Sequence, residues 1–454
     1  MMIPLPKTIR GAKNLPKQQE YLHNLLNVKG RLISRPVVQS VTANPNGGEP
    51  RGAFEYLGVY YAVFGQKLYR TTALVEVGDI LGAGQIAVDG GFNHACIVTG
   101  AAGANYTLTP AGALAVIADP DLPACRDVVF IDGRFVFIPL DGGPAIWSAV
   151  GNGGDVGPLD FFDAESQPDE NRVVMNIRND VFIGGTDTFE RFRNSGPVTA
   201  PFVRVQNAVI SVGYVGGKVL TKDSALFVGK DKAAGYGIFV FSEGTAQRIS
   251  DQAIDEMLNR DYTPAQLAAV RSQRFNWGGV DCYTFELADR TLIFQDGQWS
   301  YVSRGIVGPR QLAAFGFFNA TLHDGIWYVQ DEAGGLGKLA AGTEDSFGEL
   351  QREIVTFARD AEEGVFAPAA MQLGVSNGQP GLAADEATVG LSVSKNGKLW
   401  GVMKYRSLSA EGEYDKQLIW HPAGGFGRFD GFMGICIYTT ASVDIAADSL
   451  VATA

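Results

Sequence analysis

The sequence predicts an all-β protein with three parts: a β-propeller-like body of six to seven blades, a short helical insertion and a C-terminal β-sandwich. Hydrophobic residues make up 46% of the 454 residues, so the chain can bury a large core. Short β-rich runs alternate with turns that draw on 57 glycines. These runs form units that recur at about 40–50 residues, the length of a propeller blade. A stacked sandwich would produce the same pattern.

Residues 1–50 are predicted to form an extended N-terminal arm, because prolines interrupt the segment repeatedly. Up to position 35 the arm carries one acidic residue, Glu20, and seven basic ones. This positive charge has two interpretations: a strap across a neighbouring subunit or an acidic partner, or an ordinary solvated tail. The basic residues are Lys7, Arg10, Lys13, Lys17, Lys29, Arg31 and Arg35.

Serial hairpins predict that residues 51–342 form one closed propeller-like body. The strongest signal joins Val128–Ile131 to Arg134–Ile138 through an Asp-Gly pair, which favours a tight hairpin turn. Hairpins this short are not stable alone, so they are expected to pack into a single body. Phe137 alternates with its neighbours along the second strand and is predicted to lie in the core.

One helical insertion, at residues 250–274, interrupts the series of strands. Ser250 can cap a helix over Asp251–Arg260, which carries its apolar residues on one face. Thr263 then supplies a second N-cap, followed by a proline at the first helical position and Gln266 at the third. Both helices are predicted to lie outside the propeller-like body.

Residues 343–454 change character and predict a β-sandwich docked on the propeller. Arg352–Phe357 and Ala370–Val375 are strand-like, and further apolar strands follow toward the C-terminus. A hairpin around Asn396 is similar to the Asp-box turn of sialidase-type propellers. That turn is structural in sialidases, so here the pattern supports a hairpin and no activity.

Neither a metal site nor a nucleophilic site is predicted. Gly82–Gly84 and Gly100–Gly103 precede no clear helix, so a phosphate-binding loop is not indicated. The cysteines are widely spaced and are predicted to be buried small hydrophobic residues: Cys96, Cys125, Cys282 and Cys436. The histidines lack metal-ligand spacing, and one of them stands in a predicted turn: His23, His94, His323 and His421.

Two pairs of acidic residues fit glycoside hydrolysis by residue type, since that reaction uses two carboxyl groups roughly 5–9.5 Å apart. Asp281 and Glu286 flank one predicted strand, and Glu165 and Asp169 lie in one polar link. The sequence does not fix either separation, so this chemistry remains an alternative.

Charge and hydropathy bound the partners. The chain has 37 basic and 49 acidic residues, a net charge of −12, which argues against a generic DNA-binding surface. No run approaches the ~18 apolar residues of a membrane-spanning helix. The N-terminus lacks the apolar core of a signal peptide, so folding in a reducing cytoplasm is expected.

Four stretches with distinctive side chains occur in a fixed order along the chain. They are Tyr21–Val28 with Leu32–Pro36, Ala164–Asp169 with the later Phe189–Phe192, Tyr262–Gln266, and Tyr414–Lys416 with Trp420. In this order the stretches resemble the tail hub family of short-tailed phages, also called nozzle or packaged-DNA stabilisation proteins. The resemblance spans most of the chain.

The resemblance implies a structural virion protein that forms a homo-hexameric ring below the portal and adaptor rings. Such a ring retains the packaged genome and conducts double-stranded DNA during ejection, without sequence-specific binding. Tail fibre, tailspike or needle proteins are further implied partners, and the implied location is the phage tail after assembly in the host bacterial cytoplasm. The residues predicted to contact a subunit or the adaptor are Lys7, Arg10, Lys13, Lys17, Arg31, Arg35, Tyr414, Asp415, Lys416 and Trp420.

A second hypothesis is a propeller tail protein that binds or cleaves a surface glycan to recognise a receptor. The first hypothesis implies no catalytic residue, metal or cofactor, so we expect that the protein is not an enzyme. It also predicts a ring lumen lined by acidic and small polar residues, because an acidic wall repels the duplex and lets it slide. The basic N-terminal arm would then lie outside the channel.

Overall fold

A computed structural model describes most of the chain. The described residues are 2–11, 19–100, 103–163, 169–196, 200–221, 223–242, 244–331, 335–342, 344–346, 348–359, 365–376, 388–408, 417–422, 426–430, 432–441 and 444–453. Nearly all regular structure among them is β-strand, which confirms the all-β prediction.

The first six strands come from the N-terminal segment and are distributed among different sheets. They are β1 (Met2–Ile3), β2 (Arg10–Gly11), β3 (Gln19–His23), β4 (Leu25–Val28), β5 (Arg31–Ser34) and β6 (Val37–Thr42). The structure therefore differs from the predicted extended arm, since residues 19–42 are built into the chain's own sheets. The reason is backbone pairing: these strands satisfy sheet edges that would otherwise expose unpaired N–H and C=O groups.

Among the described residues, six antiparallel meanders of four strands follow, each made of strands consecutive in sequence, and the sixth is part of a ten-stranded sheet. Unit 1 contains β7 (Pro50–Tyr56), β8 (Val59–Phe64), β9 (Lys67–Arg70) and β10 (Val75–Asp79). Unit 2 contains β11 (Ala87–Gly90), β12 (Ala95–Val98), β13 (Tyr106–Leu108) and β14 (Leu114–Val116). Unit 3 contains β15 (Cys125–Ile131), β16 (Arg134–Pro139), β17 (Ala145–Trp147) and β18 (Phe161–Phe162).

Units 4 to 6 repeat the same meander. Unit 4 contains β19 (Asn171–Ile177), β20 (Asp180–Gly185), β21 (Phe189–Asn194) and β22 (Phe202–Ile210). Unit 5 contains β23 (Val212–Leu220), β24 (Ser224–Asp231), β25 (Gly235–Ser242) and β26 (Thr245–Arg248). Helices α1 (Gln252–Asp261) and α2 (Pro264–Ala268) precede unit 6, which contains β27 (Arg271–Trp277), β28 (Val280–Glu286), β29 (Thr291–Gln295) and β30 (Gln298–Val302).

A seventh unit closes the body with a strand from the N-terminus. Its own strands are β31 (Phe317–His323), β32 (Ile326–Asp331) and β33 (Gly335–Ala340), and β6 pairs with β33 as the fourth. The first strand of each unit lies against the first strand of the next, and β31 lies against β7. The first strands therefore form a closed ring, the arrangement of a β-propeller.

Three hairpins use an Asp-Gly turn, as the sequence predicts. In the turn between β15 and β16, Asp132 has φ 48° and Gly133 has φ 82°. Asp296 and Asp324 begin the equivalent turns in units 6 and 7, with φ 43° and 48°. Two successive positive φ angles define the type I′ turn, whose twist matches that of the flanking strands.

The helical insertion forms where it is predicted, but it is not outside the body. Asp251 rather than Ser250 is the N-cap of α1, because its carboxylate accepts the Ile254 N–H at 3.0 Å. The predicted capping box of Thr263 and Gln266 is confirmed in α2. The apolar face of α1 packs into a cluster shared by units 5 and 6, so the helices fill the seam between them.

The C-terminal region forms a sandwich of two sheets with the N-terminal strands. Its strands are β34 (Glu344–Asp345), β35 (Gly348–Glu349), β36 (Arg352–Arg359), β37 (Val365–Phe366), β38 (Ala370–Ser376), β39 (Thr388–Ser394), β40 (Lys404–Ser407), β41 (Gln417–Trp420), β42 (Phe429–Asp430), β43 (Phe432–Thr439) and β44 (Asp444–Thr453). One sheet has the order β4-β5-β44-β38-β41, with β1 paired to β44. The other has the order β3-β36-β43-β39-β40, and one apolar cluster fills the space between them.

The second sheet of the sandwich continues directly from unit 6. Strand β3 pairs in parallel with β30 at His23 and Tyr301, and on its other side it pairs antiparallel with β36. The predicted boundary at residue 343 therefore misses an N-terminal contribution: β1, β3, β4 and β5 belong to the sandwich. The shared sheet joins the sandwich to the propeller through backbone hydrogen bonds.

Candidate functional site

A buried polar junction lies where the propeller meets the sandwich. At its centre, Arg35 Nη2 lies 2.6 Å from Asp345 Oδ2, and both side chains are at most 1% exposed. The remaining Arg35 N–H groups donate to the carbonyl of Ser303 and to Asn24 Oδ1, while the guanidinium lies 4.9 Å from the centre of the Phe315 ring. The charge is therefore enclosed and fully hydrogen-bonded, as a buried cation requires.

A second group of polar side chains extends the junction toward β3. His23 Nε2 lies 2.7 Å from Ser303 Oγ, and the Gln351 amide N–H donates to His23 Nδ1 at 3.2 Å. Since Nδ1 accepts, Nε2 carries the proton and the ring is neutral. Burial, with the nearby Arg35 charge, lowers the pKa of His23 to about 3. Asn24, at φ 55°, donates to the carbonyl of Gln351 at 2.7 Å.

Two charged side chains at the start of β36 complete the junction. Arg352 donates to the Thr440 carbonyl at 2.6 Å, and burial together with the Arg35 charge lowers its pKa to about 9. Glu353 accepts the Tyr21 O–H at 2.8 Å, and burial raises the pKa of its carboxyl to about 7. Both side chains are fully buried, and Glu353 also accepts the Arg310 N–H at 2.7 Å, which joins β36 to the loop that follows unit 6.

The junction links three parts of the chain that are distant in sequence: residues 21–36, 303–310 and 345–353. A network of this kind fixes one relative orientation, because every other docking would leave buried charges unpaired. It therefore adds buried side-chain contacts to the sheet that the propeller and the sandwich share.

The second feature is a cavity within the ring of first strands. It has a volume of about 560 Å³ and is lined by residues from units 2 to 7, the loop before β11 and the end of α2. Four basic residues line it, one each from units 3, 4, 5 and 6: Arg126, Arg172, Lys218 and Arg271. Asp127 also lines it and holds Lys218 Nζ at 2.6 Å.

The predicted contact residues separate into three groups. Lys7, Arg10 and Arg31 are exposed, so they remain predictions for a contact with another protein. The second group lies outside the described residues: Lys13, Lys17, Tyr414, Asp415 and Lys416.

The third group is buried, and for it the structure corrects the prediction. Arg35 is 2% exposed, and its guanidinium is paired with Asp345 inside the junction. Trp420 is 0% exposed, packs in the sandwich core and donates its indole N–H to the Lys404 carbonyl at 2.7 Å. Neither side chain reaches a surface that a partner could contact.

The acidic pairs considered for glycoside hydrolysis have structural partners where they are described. Asp281 and Glu286 stand at opposite ends of β28, five residues or about 16 Å apart and on opposite faces. Asp281 pairs with Arg274 at 3.0 Å, and Glu286 accepts the Gly316 N–H at 2.9 Å. Glu165 lies outside the described residues.

Three residues singled out in the sequence, Asp169, Asn396 and His323, lie in or beside turns. Asp169 accepts the N–H groups of Asp187 and Thr188, both at 2.9 Å, and so closes the turn between β20 and β21. Asn396 accepts the N–H of Leu399 at 2.8 Å, which gives the predicted structural turn. His323 precedes an Asp-Gly turn, and its Nδ1 lies 2.9 Å from a Glu55 oxygen.

The cysteines and possible metal ligands are also located. All four cysteines are buried, as predicted, and burial raises the pKa of the Cys125 and Cys282 thiols to about 12. Within the described residues, no three His, Cys, Asp or Glu side chains converge as a metal site would require. None of the helices in the described part of the chain is long and apolar enough to cross a membrane.

Sequence reasoning missed both features. The junction partners of Arg35 lie about 270 and 310 residues away, and no local pattern connects them. Two of the four basic residues of the cavity had a weak signal, because Arg126 and Arg172, like Arg51 in unit 1, occupy the second position of the first strand of a unit. Aligning the units by their first strands would have shown that repeat.

Comparisons with known proteins agree with this fold. The model of the phage stabilisation family, described as "Bacteriophage P22 Gp10, beta-propeller", matches residues 14–344. No curated protein matches the chain.

Among solved structures, a streptogramin B lyase is similar at 11% identity and TM-score 0.46, covering 68% of this chain and 98% of its own. The N-terminal domain of Nup159 is similar at 9% identity and TM-score 0.42, and the match covers 70% of this chain and 98% of that domain. A catalytically inactive virginiamycin B lyase from Staphylococcus aureus with quinupristin is similar at 12% identity and TM-score 0.46. The match covers 67% of this chain and 99% of the lyase chain. Likenesses this distant carry no argument about activity.

Proposed function

Because the chain belongs to the phage stabilisation family, described as "Bacteriophage P22 Gp10, beta-propeller", we propose that it is the tail hub, or nozzle, of a short-tailed phage. The observation that carries the proposal is the family match, which covers more than half of the chain and includes the propeller. The order of the four resembling stretches along the sequence supports the same assignment.

In this proposal, six copies form a ring below the portal and adaptor rings. The ring is assembled in the host bacterial cytoplasm, closes the head after packaging, and carries the tail fibre, tailspike or needle proteins. The polar junction supports a role in which the subunit resists force between its two domains, because the propeller and the sandwich share one continuous sheet and a buried ion pair. A plug under genome pressure needs subunits that do not bend between their domains.

The proposed ring conducts DNA without binding it. Six copies of a chain with net charge −12 would carry −72, and a negative wall repels the phosphate backbone. Lysine and arginine contacts to phosphates would release counterions and hold the duplex in place. The lumen is therefore proposed to be lined by acidic and small polar residues, with the basic residues Lys7, Arg10 and Arg31 facing subunits or the adaptor.

The protein is proposed to act by assembly, without catalysis or a cofactor. A phage that lacks the gene, with and without the wild-type chain supplied from a plasmid, tests this role. We expect the mutant to package DNA and then lose it, so that nuclease-protected DNA per purified particle falls and is restored by complementation. Particles that keep their DNA and carry a complete tail without the protein would contradict the proposal.

A further inference from the structure

The cavity within the ring of first strands concentrates positive charge in a chain that is acidic overall. Arg126, Arg172, Lys218 and Arg271 all line it. Lys218 is neutralised by Asp127, and Arg172 Nη2 reaches Glu170 at 2.8 Å on the exposed side. The cavity lining itself therefore has four basic side chains and one acidic side chain, Asp127, and is net positive, while Glu170, Asp141 and Asp89 lie close by.

Several polar atoms around this cavity have no protein partner. Among the described residues, Arg126 Nε, Arg172 Nε and Ser272 Oγ are buried and have no hydrogen-bond partner. Buried polar groups are nearly always hydrogen-bonded. Because these atoms have almost no accessible surface, acceptors of a bound ligand reach them only when the two arginine side chains turn toward the cavity. Arginine N–H groups only donate, which makes an anion the complementary ligand.

Two of the basic residues also disfavour each other. The pKa of Arg126 is lowered, first by burial and then by the like charge of Arg172, while the carboxylates of Glu170, Asp141 and Asp127 act in the opposite direction. Arg271 is held over the Phe318 ring, with its guanidinium carbon 4.5 Å from the ring centre. Like charges collected in one partly buried place cost free energy unless an anion lies between them.

We propose that this cavity binds a small phosphate-bearing anion through Arg126, Arg172, Arg271 and Lys218. Guanidinium forks match the oxygens of phosphate with paired hydrogen bonds, and the net positive charge suits a multivalent anion better than a single carboxylate. The volume of about 560 Å³ is within the range of small-molecule sites. The inference does not depend on the proposed role in the phage tail.

Isothermal titration calorimetry of the full chain at matched ionic strength tests the proposal. The probes are inorganic phosphate, adenosine diphosphate and citrate, which separate the free ion, a phosphorylated small molecule and a tricarboxylate. We expect saturable binding of phosphate or the diphosphate at one site per chain, tighter than citrate. If neither phosphate probe binds saturably, or citrate binds as tightly, the proposal is overturned.

Variants locate the site. Arg126→Gln with Arg172→Gln should weaken Kd at least about tenfold, because each lost charge-assisted hydrogen bond contributes about that factor. The matched control, Lys7→Gln with Lys29→Gln, removes two exposed charges of the same sign and should change Kd by less than about twofold. Equal loss in both variants would mean a general charge effect and no site.

A second variant covers the case in which the arginine variant folds poorly. Ser272→Asp places a carboxylate on the cavity and should weaken phosphate binding through like-charge repulsion while keeping all four basic residues. An unchanged Kd in that variant would overturn the proposal. Circular dichroism and the melting temperature without ligand confirm that each compared variant is folded.

Discussion

Arg35 and Asp345 form an ion pair at 2.6 Å across 310 residues of sequence, with side chains 1% and 0% exposed. The pair joins the strand that enters the seventh unit to the segment that leads into the sandwich. Asp345 also accepts the Val38 N–H at 2.9 Å, so the same carboxylate positions the start of β6. One contact therefore takes part both in closing the propeller and in docking the sandwich.

Removing either partner of this pair should be strongly destabilising. Asp345→Asn and Arg35→Met each leave one buried charge uncompensated, which costs about 3–5 kcal/mol. Urea denaturation of each variant measures the loss. The exposed pair Lys67–Glu76, at 2.7 Å, supplies the control, since Lys67→Gln removes a solvated charge and should have only a small effect on stability. A similar small cost at Asp345 would mean that the junction is not held by this pair.

The junction also predicts acid sensitivity. The pKa of His23 is about 3 in the folded chain, against an ordinary value of 6.5. Between these values the unfolded chain therefore binds a proton at this histidine that the folded chain does not bind. Its effect on stability is nil above pH 6.5 and grows as the pH falls toward 3. The free energy of unfolding should therefore fall more steeply between these values in the wild type than in His23→Gln.

The exposed His421 provides the control for this experiment. His421→Gln replaces an exposed imidazole by the same amide and so controls for the substitution itself. Equal slopes for wild type and His23→Gln would show that His23 is not enclosed as the structure places it.

Propeller core packing gives a third prediction. Phe137 is 0% exposed and packs between units 2 and 3, so Phe137→Ala should cost about 3–5 kcal/mol in the free energy of unfolding. Phe92 is 86% exposed, and Phe92→Ala should cost less than about 0.5 kcal/mol. A cost below about 1 kcal/mol for Phe137→Ala in urea denaturation would mean that this face of the strand is not packed in the core.

The parts of the fold that local pattern controls could be predicted from the sequence. The Asp132-Gly133 turn, the capping box at Thr263 and the burial of Phe137 follow from nearby residues. The course of residues 19–42 could not be predicted, because it is decided by which distant sheet edges need a partner. Prolines and basic residues in that segment indicated an arm, while pairing of β6 with β33 overrode them.

The candidate sites were less predictable for the same reason. Charged residues such as Arg35 and Glu353 resemble surface residues in sequence, and only tertiary contacts show that they are buried. The basic residues of the cavity come from four separate units, each of which contributes one. No single window of sequence contains enough of either cluster to indicate it.

The proposed acidic lumen predicts weak interaction with DNA. Fluorescence anisotropy of a short labelled duplex with the purified protein at low salt should show no micromolar binding, because a net charge of −12 repels the backbone. Micromolar binding that weakens steeply as salt is added would contradict the idea, since that dependence marks phosphates gripped by lysine and arginine. A lumen rich in Lys and Arg would contradict it too.

The central claim is that this chain is a ring-forming tail hub, and an electron micrograph of the purified protein tests it most directly. The account predicts ring-shaped particles with six-fold symmetry, each containing six copies of the 48.5 kDa chain. Monomers at every concentration, together with turnover of host envelope polysaccharide, would contradict the account and favour the glycan-cleaving alternative.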